Sequence, residues 1–239
     1  MKTVTIQYCF ELSDSRKEIF EIKLDEERME IINNQPKNLP FWAKLDFHQC
    51  PNCPLDVEDH PHCPLMANLV NIVGRFDDLL SYENMHLAVV TEERCIYQRT
   101  TAQRAISALM GLVIATSGCP HSVYFKPMAR YHLPLASDHE TIYRATSMYL
   151  LAQYFVHHDG GEADVDLKGL DQIYKNMHTV NTAIAERIRS ATTTDSSLNA
   201  LVMLDMFALD VPMVIKASLD EIRPLFQPYL EPVPELVLS

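Results

Sequence analysis

Glycine is scarce: there are six in 239 residues, and no two stand at the spacing of a dinucleotide or P-loop phosphate cradle. Those nucleotide-binding classes are therefore excluded. Positive charge is short as well. Twenty Lys and Arg against 32 Asp and Glu leave a net charge of −12, the wrong sign for a chain whose main work is gripping phosphate backbones. Long apolar runs are missing too. The most apolar stretch, Ala105 to Ala115, is about a dozen residues and contains Ser107 and Gly111, whereas a membrane span needs roughly 20. The first residues, Met1 to Tyr8, alternate polar and apolar side chains and lack the continuous apolar run of a signal peptide. A cytoplasmic protein with no nucleic-acid or membrane partner is expected, with its cysteines serving as thiols or metal ligands rather than disulfides. Ser-His-Asp arrangements, the His-Glu-x-x-His motif and the nucleophile elbow are also lacking, so nothing in the sequence requires an enzyme.

What is present is a change of periodicity along the chain. Val4, Ile6, Tyr8, Phe10 and Leu12 alternate with polar neighbours, and Ile22 and Leu24 follow the turn residues Ser13 to Ser15, which predicts a hairpin. Residues 25–34 suit a short helix, ended by Pro36 and Pro40. A Pro-, Cys- and His-rich loop covers 41–64. Pro64 then opens a helix whose inner stripe is Leu65, Leu69, Ile72, Val73, Phe76, Leu79 and Leu80. Leu87 to Val90 and Cys95 to Tyr97 form a second hairpin. From Ala102 the pattern is helical, with helices expected at about 102–117, 139–157, 167–190, 196–209 and 213–226. Asp166 would cap the long one, Pro212 would open the last, and the tail after Pro228 would be extended. The expected fold class is α+β: a small antiparallel sheet of two hairpins in residues 1–100 packed with a helical bundle in 101–228, followed by a tail at 229–239. A link through Cys119 would make residues 1–239 a single integrated domain.

The densest signal is a set of Cys-Pro steps. Cys50, Cys53, Cys63 and Cys119 are each followed by proline, four of the six cysteines, whereas 14 prolines in 239 residues predict that about once in 17. Cys9 and Cys95 fall in expected strands and read as small core residues. A Cys-x-x-Cys turn brings two sulfurs within reach of one ion, and proline restricts the loop that must close on it. Cys50-Pro51-Asn52-Cys53 resembles, over four residues, the knuckle of a zinc ribbon, and a Cys-Pro step also closes the cysteine run of bacterial ferredoxins. The remaining spacing is uneven: Cys63 lies ten residues past Cys53, and Cys119 another 56 beyond. That suits a cluster collecting cysteines from separate loops, while zinc sites are commoner, so both cofactors stay open.

The leading expectation is a cytosolic metal-site protein holding an iron–sulfur cluster (4Fe-4S) on Cys50, Cys53, Cys63 and Cys119, in a redox-sensing, electron-transfer or structural role. One alternative is a Zn2+-stapled module that binds a protein or small ligand. Another is a metal-assisted enzyme using Arg130 and His132. His48, His60, His62 and His121 lie within three residues of the cysteines and are candidate ligands or their supports. Arg130, His132 and, one helix later, Arg144 are candidate ligand-binding residues, and a protein partner or second copy could meet a helical face. The acidic loop His157 to Asp166 fits a calcium loop poorly. Asn181, Glu186, Arg187 and Asp205 interrupt apolar helices, and Glu186 and Arg187 would matter chemically if they faced inward.

Overall fold

Alternation along the strands sets which face of the sheet is buried. The computed structural model describes residues 2–32 and 35–231, apart from the side chains of residues 207 and 210–218. β1 (Thr3–Leu12) turns Ile6, Tyr8, Phe10 and Leu12 inward, and β2 (Lys17–Asp25) adds Phe20, Ile22 and Leu24. β3 (Asn84–Val90) contributes Met85, Leu87 and Val89; β4 (Cys95–Thr101) is an outer strand in which Thr100 alone is buried. All pairings are antiparallel in the order β2-β1-β3-β4, so the two hairpins are zipped together through β1 and β3. Cys95 is exposed at the start of this outer strand, and Cys9 is half-buried; neither is the core residue expected.

Seven α-helices follow or interrupt the sheet among the described residues. α1 (Pro64–Arg75) starts with Pro64 in its first turn and buries Leu65, Met66, Leu69, Ile72 and Val73. Phe76 closes it, with its ring 4.9 Å from that of Phe10 and 5.4 Å from that of Phe20. The inner stripe therefore outlasts the helix, and Leu80 is exposed. α2 (Ala102–Thr116) leaves β4 directly and is buried on most sides. α3 (Lys126–Arg130) is a short helix that carries Arg130 at its end. α4 (Asp138–His158) is opened by a capping box, in which Ser137 Oγ accepts from the Glu140 N–H while the Glu140 carboxylate accepts from the Ser137 N–H at 2.7 Å. α5 (Lys168–Arg189) and α6 (Ser196–Ile222) pack against each other, α6 also crossing α2 and α4, and α7 (Gln227–Leu230) is a single turn. One continuous set of buried apolar side chains runs from the sheet through α1 and α2 into α5 and α6.

Four local expectations are corrected. Residues 25–32 are a turn and a bridge rather than a helix: the Asp25 carboxylate accepts from the N–H groups of Glu27 and Arg28, and Ile31 pairs back to Leu24; positions 33 and 34 lie outside the described residues. Asp166 does not cap α5. The residue before that helix is Leu167, in the left-handed region at φ 63°, while Asp166 pairs with Lys168 at 3.0 Å. Two helices were expected either side of Pro212, yet α6 is continuous through it. An interior proline costs roughly 3 kcal/mol, which packing against three neighbouring helices outweighs. Finally, the start of the expected tail is the turn of α7, and positions 232–239 lie outside the described residues. No described helix is long and apolar enough to cross a membrane.

Candidate functional site

The Cys/Pro loop is organised by an arginine on α5. Arg187 is 1% exposed. Its Nη1 donates to the Lys44 and Trp42 carbonyls at 2.7 and 3.3 Å, its Nη2 to that of Leu45 at 3.0 Å, and its Nε to that of His48 at 3.3 Å. The base of the loop is closed by backbone bonds from Cys63 to Ala43 and from Leu45 to Pro61. The tip is tied by His121, whose ring nitrogen donates to the Asn52 carbonyl at 2.6 Å, and by Asn52 Nδ2, which donates to the Asn176 carbonyl. Arg187 does face inward, but it is spent on carbonyls. Its neighbour Glu186 forms a surface pair with Arg189.

This framework places Cys50, Cys53, Cys63 and Cys119 in one neighbourhood. Cys63 and Cys119 are buried, Cys50 and Cys53 half-buried, and all four are free. Burial pushes the Cys50 thiol up to about 12, the nearby sulfurs of Cys63 and Cys119 add to that, the Arg187 charge opposes it, and Cys53 adds a little more. Burial likewise raises Cys63 and Cys119, partly offset at Cys63 by the N–H of Met66 and the Arg187 charge, and at Cys119 by the N–H of His121. The metal-site expectation is corrected here. Among the described residues, no group of three or more Cys, His, Asp or Glu side chains is placed to hold a metal ion. The iron–sulfur reading, its zinc alternative and the metal-assisted enzyme fall together. Cys63 and Cys119 sit in the apolar core, and Cys50 and Cys53 pack against it as small apolar groups. Of the histidines, His48 and His60 are exposed, His62 is half-buried in a bridge to Lys44, and His121 is the loop tie. Replacing Cys119 with Ser is expected to cost about 1–2 kcal/mol by burying a hydroxyl among apolar atoms, while Cys95→Ser costs under 0.5 kcal/mol. Urea unfolding of both variants checks this, and equal effects would refute it.

The other candidate residues separate into two places. Arg130 lies 3.9 Å from Glu93 and 5.7 Å from the Tyr131 ring centre, beside a small hollow at the start of β1. Asp205 accepts from Asn181 Nδ2 at 3.2 Å and from His178 Nδ1 at 2.9 Å. The loop from His157 to Asp166 is largely exposed, as a connector should be.

His132 and Arg144 meet at a cavity of about 460 Å³ within the helical half. α2 walls it with Ser107, Ala108, Gly111 and Ala115, small side chains at helical spacing that leave room beside the helix. A Cβ on Gly111 would lie 3.4 Å from Leu204 of α6, so that crossing is close. α5 contributes Tyr174, Met177 and Asn181, and the Leu133 to Leu135 segment covers one end. The lining is mostly apolar. Arg104 and Asp138 stand exposed at its edge, Ser107 and Thr141 add hydroxyls to the walls, and four larger polar side chains sit deeper.

Each of the deeper four has a defined setting. Tyr8 donates its hydroxyl proton to the Ala108 carbonyl at 3.0 Å, so the hydrogen bond between Tyr8 and His132 Nε2 must run from the imidazole N–H to the phenol oxygen. That fixes the proton on Nε2 and leaves Nδ1 as an acceptor. Burial, aided by the Arg144 charge, pushes His132 down to about 3, so the ring is neutral at pH 7. Arg144 Nη2 donates to the Met128 and Tyr131 carbonyls at 3.0 and 2.9 Å, binding the end of α3 to α4. Tyr174 is 6% exposed, packs edge-on to Phe125, and has its phenol raised by burial. Asn181 Oδ1 is buried without a hydrogen-bond partner in the described structure.

His132, Arg144 and Asn181 stood out in the sequence; Tyr174 and the small-residue wall did not. The signal for Tyr174 was available in the α5 stripe Leu170, Tyr174, Met177 and Asn181, where polar groups share the buried face. No curated protein and no solved structure matches this chain. A family model described as a domain of unknown function, DUF6901, matches residues 6–227, nearly the whole length, and the chain belongs to that family.

Proposed function

We propose that this protein binds a small, largely apolar molecule in the cavity between α2, α4, α5 and α6. The observation that carries the reading is the cavity itself. About 460 Å³ lies within the range of small-molecule sites, and a few polar groups converge on otherwise apolar walls, as binding sites require. A packed interior of this size would normally be filled. The two histidine and arginine candidates from the 126–144 region that reach it, His132 and Arg144, act as recognition groups rather than as partners of a metal. Free thiols at all six cysteines favour a reducing compartment, and cytoplasmic action is the location we infer.

The test is titration with the neutral dye N-phenyl-1-naphthylamine. Saturable one-to-one binding with a blue-shifted emission is expected. Ala108→Trp fills the cavity from α2 and should weaken the dye at least about tenfold, equivalent to 1.4 kcal/mol. Gln172→Trp, on the exposed side of α5, should leave it unchanged. Equal binding by the wild type and Ala108→Trp would overturn the reading.

A further inference from the structure

We infer that the ligand of this cavity is a monocarboxylate with an apolar body, its carboxylate seated between the Arg144 guanidinium and the Tyr174 hydroxyl. The inference rests on the cavity being a binding site and goes further by naming the ligand class. Arg144 is half-buried, and no carboxylate lies within ion-pair distance of it among the described residues. Its Nη2 is committed to two backbone carbonyls, which leaves Nη1 and Nε as donors with no protein acceptor in the described structure. Burial accordingly disfavours its charge, with the more distant Glu140 giving some relief. Glu140 itself is held in the capping box with Ser137. A half-buried cation in this condition is costly unless an anion joins it.

Tyr174 supplies the second, independent sign. Its side chain is more than nine-tenths buried and faces the cavity, and its hydroxyl has no hydrogen-bond partner among the described residues. It lies near enough to Arg144 for the guanidinium to favour its phenolate form. Its hydroxyl proton is thus free to be donated to a molecule in the cavity. A carboxylate oxygen would accept from Tyr174 and from Arg144 at once. His132, held neutral with Nδ1 as acceptor, adds no second positive charge.

One deep cation and one phenol suit a single negative charge, the exposed edge carrying one charge of each sign in Arg104 and Asp138. A phosphate monoester carries nearly two charges and three acceptor oxygens, more than these donors match. A cationic amphiphile would meet Arg144 unfavourably, and a neutral one would leave both groups unpaired. The remaining lining is mostly apolar, Met128, Leu112 and Met177 among it, and accepts a hydrocarbon or aromatic body.

Decanoate, decan-1-ol and decyltrimethylammonium, kept below their aggregation thresholds, test this by displacing the bound naphthylamine dye, with decanoate also measured directly by calorimetry. Decanoate should bind at least about tenfold tighter than decanol at pH 7.5, and decyltrimethylammonium weakest. Arg144→Gln should bring the decanoate-to-decanol ratio to about one. Tyr174→Phe keeps the ring and should weaken decanoate about threefold while leaving decanol unchanged, so the inference stays testable if Arg144→Gln folds poorly. Decanol or the ammonium matching decanoate, with dye binding intact, would overturn the carboxylate and leave the cavity reading standing. Absence of both dye and decanoate binding would remove the two together.

Discussion

Replacing Arg187 with leucine is expected to destabilise the fold by about 3–5 kcal/mol, although this arginine makes no ion pair among the described residues. The loss is in hydrogen bonds. Four donor contacts from one guanidinium satisfy the carbonyls of Trp42, Lys44, Leu45 and His48, and leucine supplies none. Each carbonyl left buried and unpaired costs roughly 1–3 kcal/mol, less where water can enter. The four are not additive, since a relaxing loop would hydrate some of them. Arg187→Lys should recover less than half of the loss, because an ammonium cannot span carbonyls that a planar fork reaches in one plane. Urea unfolding measures both variants, and hydrogen exchange should show residues 41–63 opening first. A leucine variant within 1 kcal/mol of wild type would mean the loop is held by its backbone bonds and His121 alone.

The same residue explains part of what could and could not be read in advance. Strands and helices were legible because their periodicities are local: the Ile6–Leu12 alternation and the Leu170–Ile184 stripe appear in the structure as the buried faces of β1 and α5. Helix ends were less legible where the deciding contact was distant or specific, as at Asp25, Asp166 and Pro212. Arg187 was noticed only as a charge in an apolar helix, and its carbonyl partners lie about 140 positions away in sequence. The Cys-Pro steps drew the metal-site expectation, but composition does not fix the donor geometry around the sulfurs. Their setting among buried apolar side chains made them core thiols instead. The cavity was hidden for a related reason. Ser107, Ala108, Gly111 and Ala115 read as ordinary core positions of an apolar helix, and only the packing of α5 and α6 against them leaves space.

Stability should fall as the solution is acidified from pH 6.5 to 4.5, by about 2–3 kcal/mol, with His132 as the source. In the unfolded chain this imidazole takes up a proton near pH 6.5, whereas in the fold it is held down to about 3. Between those values the unfolded state binds the extra proton, so acid favours unfolding. Above pH 6.5 both states are neutral at this site and its contribution is level. The cause is burial first and the Arg144 charge second. The facing groups from other elements are Tyr8, whose phenol is itself raised by burial and stays protonated, and the Arg130 side of the adjoining hollow. Carboxylates held low in the fold, such as Asp78 beside Arg16 and Glu140 in its capping box, begin to lose their stabilising effect only as the pH nears their ordinary values of 3.8 and 4.5, so the histidine dominates the 6.5 to 4.5 window. His132→Gln, whose amide can still donate to Tyr8, should flatten the profile across that window. Nitrogen chemical shifts of the ring should report a proton fixed on Nε2 throughout. A ring that titrates near 6.5, or a glutamine variant with the wild-type slope, would place the acid sensitivity elsewhere.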